Sequence, residues 1–150
     1  MGLAIRSIAA SAVLIAAVPA LADDIVVEDA YARSASPTAR TGAIFMQITN
    51  EGADDRLIGA ASPAAELVQL HAHLASGDGV MQMKHASESF DLPANDTLSL
   101  ERGSNHVMLM GLTAPLVQDA TVPVTLTFEE ARDLTFNVRV DLERMPGEGK

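Results

Sequence analysis

The segment Thr121-Val122-Pro123-Val124-Thr125-Leu126-Thr127-Phe128 alternates apolar and polar side chains, and Leu134-Thr135-Phe136-Asn137-Val138-Arg139-Val140 resumes the alternation shortly afterwards. A period of two gives a strand one face for the core and one for solvent, and it cannot form the apolar stripe of a helix. From Asp23 onward, short β-rich stretches alternate with turn residues. Short β-rich stretches occupy residues 25–32, 42–49, 56–61, 66–74, 80–84, 97–100, 105–110, 121–128 and 134–140. Between them stand turn-forming groups: Asn50-Glu51-Gly52, Ser76-Gly77-Asp78-Gly79, Pro93-Ala94-Asn95-Asp96 and Arg102-Gly103-Ser104-Asn105. No helical period is sustained in this region; residues 63–66 and 129–132 each have room for a single turn of helix. Pro123 has no N–H to give to a ladder, which predicts an edge strand or a bulge there. With no internal repeat and no low-complexity linker, these strands predict one antiparallel β-sandwich domain.

That domain is expected to begin after an export signal. Residues 1–22 hold no acid, one early base (Arg6) and an apolar run from Ile8 to Val18 broken only by Ser11. They end in Ala20-Leu21-Ala22, the small-x-small arrangement that precedes signal-peptidase cleavage. The run is too short and alanine-rich to span about 30 Å of hydrocarbon, and no basic cluster follows it. The reading is therefore a signal peptide over 1–22 and a secreted domain over 23–150, with no stable membrane insertion after cleavage. In a Gram-negative cell the destination is the periplasm.

Composition narrows the chemistry. Ten Lys and Arg face twenty Asp and Glu in the 150 residues, a formal charge of −10. Without Arg6, nine bases face twenty acids, a charge of −11. Such a surface argues against nucleic acid or anionic lipid as partner and suits a basic protein partner. There is no cysteine, which removes thiolate nucleophiles, iron–sulfur clusters, cysteine-based zinc sites and the thiolate of a blue-copper centre. No G-x-S-x-G elbow occurs, and Ser104-Asn105-His106 has no evident oxyanion arrangement, so the chain is not expected to be an enzyme.

The histidines and methionines are clustered. All four His (71, 73, 85 and 106) fall within 36 residues, and Met81, Met83, Met108 and Met110 lie in that window or just beyond it. Met46 and Met145 stand apart. His71 and His73 are two apart, as are Met81 and Met83, and His106, Met108 and Met110 continue the period. Three strands therefore each offer imidazole or thioether on one face. Thioether is a soft donor, poor for Zn²⁺, Mg²⁺ or Ca²⁺ and well suited to Cu(I). A neutral ligand set points to exchange rather than storage. The competing reading is packing: Met commonly fills gaps in a core, Met81 and Met110 fit that role, and His85 reads as a surface residue. Spacing leaves both readings open.

At these residues the sequence resembles a known family. Leu70-His71, Gly79-Val80-Met81-Gln82-Met83-Lys84, Leu92-Pro93-Ala94 and Asn105-His106-Val107-Met108-Leu109-Met110-Gly111-Leu112 resemble the periplasmic copper chaperones of the PCu(A)C family. That family carries a His, a Met about a dozen positions on, and a His-x-Met some twenty-odd positions later. Here twelve steps separate His71 from Met83 and twenty-three separate Met83 from His106. Ala32-Arg33, Thr49-Asn50-Glu51-Gly52, Asp55-Arg56-Leu57-Ile58-Gly59-Ala60 and residues 121–128 extend the likeness over the chain after residue 22.

The resemblance implies a cupredoxin-like Greek-key β-sandwich that binds Cu(I) through His71, Met83, His106 and Met108. His73 is a possible extra ligand, and Met81 is the rival to Met83. It also implies delivery toward the copper centre of cytochrome c oxidase, with an oxidase subunit or a Sco-like protein, periplasmic or membrane-anchored, as recipient. The chain departs from the family pattern at Ala72, where Glu is frequent, and at Lys84-His85, where Arg-Pro is common. It also ends without the His/Met-rich tail of some relatives, so tail-borne Cu(II) binding is not expected. Two other readings stay open: a non-catalytic periplasmic sandwich using this face for protein contact, and a His-based Cu(II) or Zn(II) buffer.

Overall fold

A computed structural model describes residues 24–75, 81–86 and 89–145, with backbone pairing alone over 73–75 and 81–86. The expected signal over 1–22 and the turn at 76–79 lie outside the described residues. The described chain is all β, without a helix. Ten strands form: β1 Ile25–Ser34, β2 Thr41–Asn50, β3 Asp55–Ala61, β4 Ala65–Ala75, β5 Met81–Ala86, β6 Phe90–Leu92, β7 Thr97–Leu100, β8 His106–Leu112, β9 Thr121–Phe128 and β10 Leu134–Val140.

They join in the order β5-β4-β8-β2-β1-β10-β9-β3-β6, with β7 also paired to β2. The first half of β2 pairs with β8 through Thr41–Ile44, and its second half pairs with β7 through Met46–Thr49. All ladders are antiparallel except β1–β10, where Tyr31 meets Arg139 and Ala32 meets Val140 in parallel. β3 approaches β4 and β6 approaches β7, so the sheet curls around its core in a cupredoxin-like β-sandwich.

The core follows from the alternation. In β9 every second residue from Val122 to Phe128 is buried. Ile44, Met46 and Ile48 of β2 meet Val107 and Leu109 of β8 in the same interior. Met46 is only 1% exposed and fills a gap in the core. Pro123 sits past the end of the β3 ladder, which stops at Ala61 opposite Thr125. Its carbonyl accepts from the Ser62 hydroxyl (2.6 Å) on that open side. N–H and C=O of one strand residue point the same way, so the missing donor falls where no strand needs it.

Two expected single helical turns do not form. Residues 63–64 make a plain turn before β4 begins at Ala65, and 129–131 make bends. Asp55 accounts for the second. Its carboxylate accepts from the backbone N–H of Glu130 and Ala131 (both 2.9 Å) and of Arg56 (2.7 Å), tying that connection down in a non-helical form. Burial opposes the charge on Asp55, but these donors outweigh it and hold the carboxyl below the usual carboxylate range.

Candidate metal centre

Alternation breaks at four places. Tyr31-Ala32 in β1, Ile44-Phe45-Met46 in β2, Leu70-His71-Ala72 in β4 and His106-Val107 in β8 are runs of consecutive buried residues. A strand residue buried next to a core residue lies on the other face, so the outer face of the sheet is also covered here. The four outward members fall in one row across neighbouring strands. Tyr31 pairs with Phe45, and His106 pairs with His71. Their ring centroids step across the sheet at 5.1 Å from Tyr31 to Phe45, 6.0 Å from Phe45 to His106 and 5.5 Å from His106 to His71. A small aromatic–imidazole layer thus sits on the outside of the main core.

Both histidines are deeply buried, His71 at 4% and His106 at 6% exposure. Imidazole is polar, and its burial requires partners. Nδ1 of His106 donates to the Ser104 carbonyl (2.9 Å). A carbonyl can only accept, so a neutral ring carries its proton on Nδ1 and its lone pair on Nε2. Phe45 packs against the same ring. His71 Nε2 lies 3.3 Å from Oε1 of Gln69, two residues back on β4. Gln69 is itself in register with Met108.

The far end of the layer is closed by the last described residues. The Arg144 guanidinium lies over the Tyr31 ring, 4.2 Å from its centroid, and pairs with Asp29 at 2.5 Å. Arg33 donates to the Arg144 carbonyl (2.9 Å). Asp29 stands at a register shift in the β1–β2 ladder with φ of 54°, a conformation that Asp tolerates better than most residues. Burial pushes the Tyr31 hydroxyl above the ordinary phenol value, against the opposing pull of Arg144.

The methionines flank the imidazole pair. Met108 follows His106 by two in β8 and is half-buried, so it lies diagonally across from His71. In the β4–β5 ladder His85 is in register with His71, and Met83 with His73, which makes Met83 the diagonal neighbour of His71 on the other side. Diagonal neighbours stand about 7–8 Å apart, within reach of long side chains. His71 is therefore the hub, with His106 directly opposite and positions 83 and 108 on its two diagonals. Met81 pairs with Ala75 and lies one step farther from the hub; His73 lies between them.

Among the described residues no three His, Cys, Asp or Glu side chains come together as a metal-binding group. Phe45, Gln69 and the Ser104 carbonyl escaped the sequence reading, because only the register brings them to the histidines.

The comparisons with known proteins concern the family and the fold. The family described as "Putative lipoprotein LpqE-like" matches residues 25–140. A Leifsonia xyli subsp. xyli protein described as "Putative lipoprotein Lxx21020" is 36% identical over 110 residues, 73% of this chain. The aligned region spans 64% of that relative's length. Among solved structures, the Cu(I) form of DR1885 from Deinococcus radiodurans superposes with a TM-score of 0.62 at 33% identity, covering 79% of this chain and 78% of that one. A copper-bound PCuAC domain from PmoF2 gives 0.65 at 23% identity, covering 79% and 93%.

Proposed function

Because the chain belongs to the LpqE-like family and has the fold of PCuAC domains, we propose that it is an extracytoplasmic copper carrier that binds and hands on Cu(I). The ligands in this reading are His71, His106, Met83 and Met108. The observation that carries it is the directly opposed, buried His71–His106 pair with a methionine position on each diagonal. The lipoprotein descriptions of the family and the Leifsonia relative, together with the export signal read in residues 1–22, support a location outside the cytoplasm.

The donor set fits the cargo. Two imidazoles and two thioethers are neutral and soft enough for Cu(I), and they leave its charge uncompensated, which favours exchange over permanent retention. Ser104 fixes the lone pair of His106 on Nε2, and Phe45 limits rotation of the ring, so this ligand is oriented before the ion arrives. Gln69 holds the His71 ring in the absence of metal. Transfer follows by ligand exchange: an incoming thiolate or thioether of the recipient binds before the last donor of this chain leaves. The recipient is a copper-accepting protein of the same compartment, with the oxidase assembly route as the leading destination.

X-ray absorption on the protein loaded with one equivalent of Cu(I) under anaerobic conditions tests the ligand set. Mixed nitrogen and sulfur scattering is expected. A shell of nitrogen alone would contradict thioether ligation and favour the His-based buffer.

A further inference from the structure

Exposure rises along β8 away from the histidine pair. His106 is 6% exposed, Met108 and Met110 are half-buried, and Leu67, in register with Met110, is 48% exposed. Val107 and Leu109 are fully buried and take the inner face of β8, so Met108 and Met110 stand with His106 on the outer one. Among the described residues, the core draws Val107, Leu109 and Leu112 from β8 and neither methionine. Met110 therefore does not fill the core. Its neighbours across the ladders are Leu67 and Thr41, and those of Met108 are Gln69 and Ala43, none of them charged. The ring row itself is covered on one side by Phe45 and Tyr31, with Arg144 over Tyr31. A cation bound for two buried imidazoles needs an approach, and the donors that become accessible lie along β8.

We infer that Met108 and Met110 form a second, thioether-only station for Cu(I), through which the ion reaches and leaves the His71–His106 pair. Residues two apart on a strand are about 6.5 Å apart, and the flexible side chain of methionine lets two sulfurs converge on one ion between them. Two neutral thioethers select a soft monovalent cation and hold it weakly beside the imidazole set. Met108 belongs to both stations. Incoming Cu(I) is taken by Met108 and Met110, and His106 and His71 then replace Met110 while Met108 stays bound; departure reverses the order. The ion keeps a ligand at every step, so neither passage carries the cost of a bare cation. A leucine at position 110 would pack as well but has no sulfur to donate, which separates ligation from bulk. The inference rests on the Cu(I) carrier reading for its cargo and adds the path to the site.

The test compares wild type, Met110→Leu and Leu67→Ala, each checked for fold by circular dichroism. Equilibrium Cu(I) affinity is measured anaerobically against a chromophoric chelator, and uptake and release are followed by stopped flow. Methionine-methyl NMR is recorded in parallel during titration with Ag(I), a soft monovalent probe that is stable in air. Met110→Leu is expected to keep wild-type Cu(I) affinity while uptake and release both slow by about tenfold. Leu67→Ala should exchange at the wild-type rate, and the Met108 and Met110 methyls should both shift with Ag(I). Wild-type exchange in Met110→Leu, or a Met110 methyl that Ag(I) leaves unmoved, would overturn the inference and leave the carrier reading standing. So would an equal slowing in Leu67→Ala, which would make the patch an apolar gate. A loss of Cu(I) affinity in Met110→Leu would also overturn it, by making Met110 a ligand of the main site. A folded wild-type protein that binds neither ion would sink both readings together.

Discussion

His71 and His106 stand directly opposite one another in the β4–β8 ladder, both buried, with ring centroids 5.5 Å apart on the outer face of the sheet. Two buried imidazoles at this separation do not add apolar packing to the core, which lies on the other face with Leu70 and Val107. Ser104, Phe45 and Gln69 hold the two rings in place, as the proposed donor pair requires.

Phe45 is expected to act on the site through His106. Phe45→Leu removes the ring that packs on the imidazole but keeps an apolar side chain in the layer. The variant should fold, lose about 1–2 kcal/mol of stability, and bind Cu(I) several-fold more weakly. Denaturant unfolding and a Cu(I) competition assay check the two effects separately. A stability loss with undiminished Cu(I) affinity would restrict Phe45 to packing.

Gln69 borders the position where the ion is proposed to sit, beside His71 and in register with Met108. Gln69→Glu places a negative charge there with almost no change in shape. Coulomb attraction at this range should raise Cu(I) affinity by about tenfold or more and slow release to a chelator. Unchanged affinity and release would place the ion away from Gln69.

Asp55 gives the fold a definite acid sensitivity. Its folded carboxyl titrates below its unfolded value of about 4, so its stabilisation is complete above that value and is lost as pH falls through the folded one. Asp55→Asn should cost about 1–3 kcal/mol at neutral pH and flatten the acid limb of the stability curve. Urea unfolding between pH 7 and pH 2.5 measures both. A variant with the wild-type acid slope would contradict this assignment.

Much of this arrangement is legible in the sequence because a strand's period is short and local. β7, β9 and β10 have the extents that the β-rich stretches between turn residues predict, and β2, β3, β4 and β8 differ by a residue or two at their ends. Phe90–Leu92 is a strand of three residues, too short to show a period, and exists because it pairs with Asp55–Leu57 of β3. The parallel meeting of β1 and β10 joins segments more than a hundred residues apart, and nothing local encodes it.

The site divides in the same way. Period-two spacing gathers His71, His73, Met81, Met83, His106 and Met108 onto strands that turn out to be neighbours, because each spacing is a property of one strand. Which residues of different strands stand opposite is a property of register. That is why Gln69 beside His71, Phe45 beside His106 and the alignment of His85 with His71 emerge only from the fold.

Oxidation offers a test of thioether ligation without mutation. Conversion of Met83 and Met108 to sulfoxides turns soft sulfur donors into polar oxygen-bearing groups. Peroxide treatment, followed site by site with mass spectrometry, should weaken Cu(I) binding in step with oxidation at these two positions, and enzymatic reduction should restore it. Full Cu(I) affinity in the doubly oxidised protein would argue against sulfur ligation.

Cu(I) binding through thioethers is tested by an anaerobic Cu(I) competition titration of the protein against a chromophoric chelator, with Met83→Leu/Met108→Leu run beside wild type. One tight equivalent is expected in wild type and much weaker binding in the folded double variant. A folded wild-type protein that takes no Cu(I) from the chelator would contradict it and return this face to the role of a protein-contact surface.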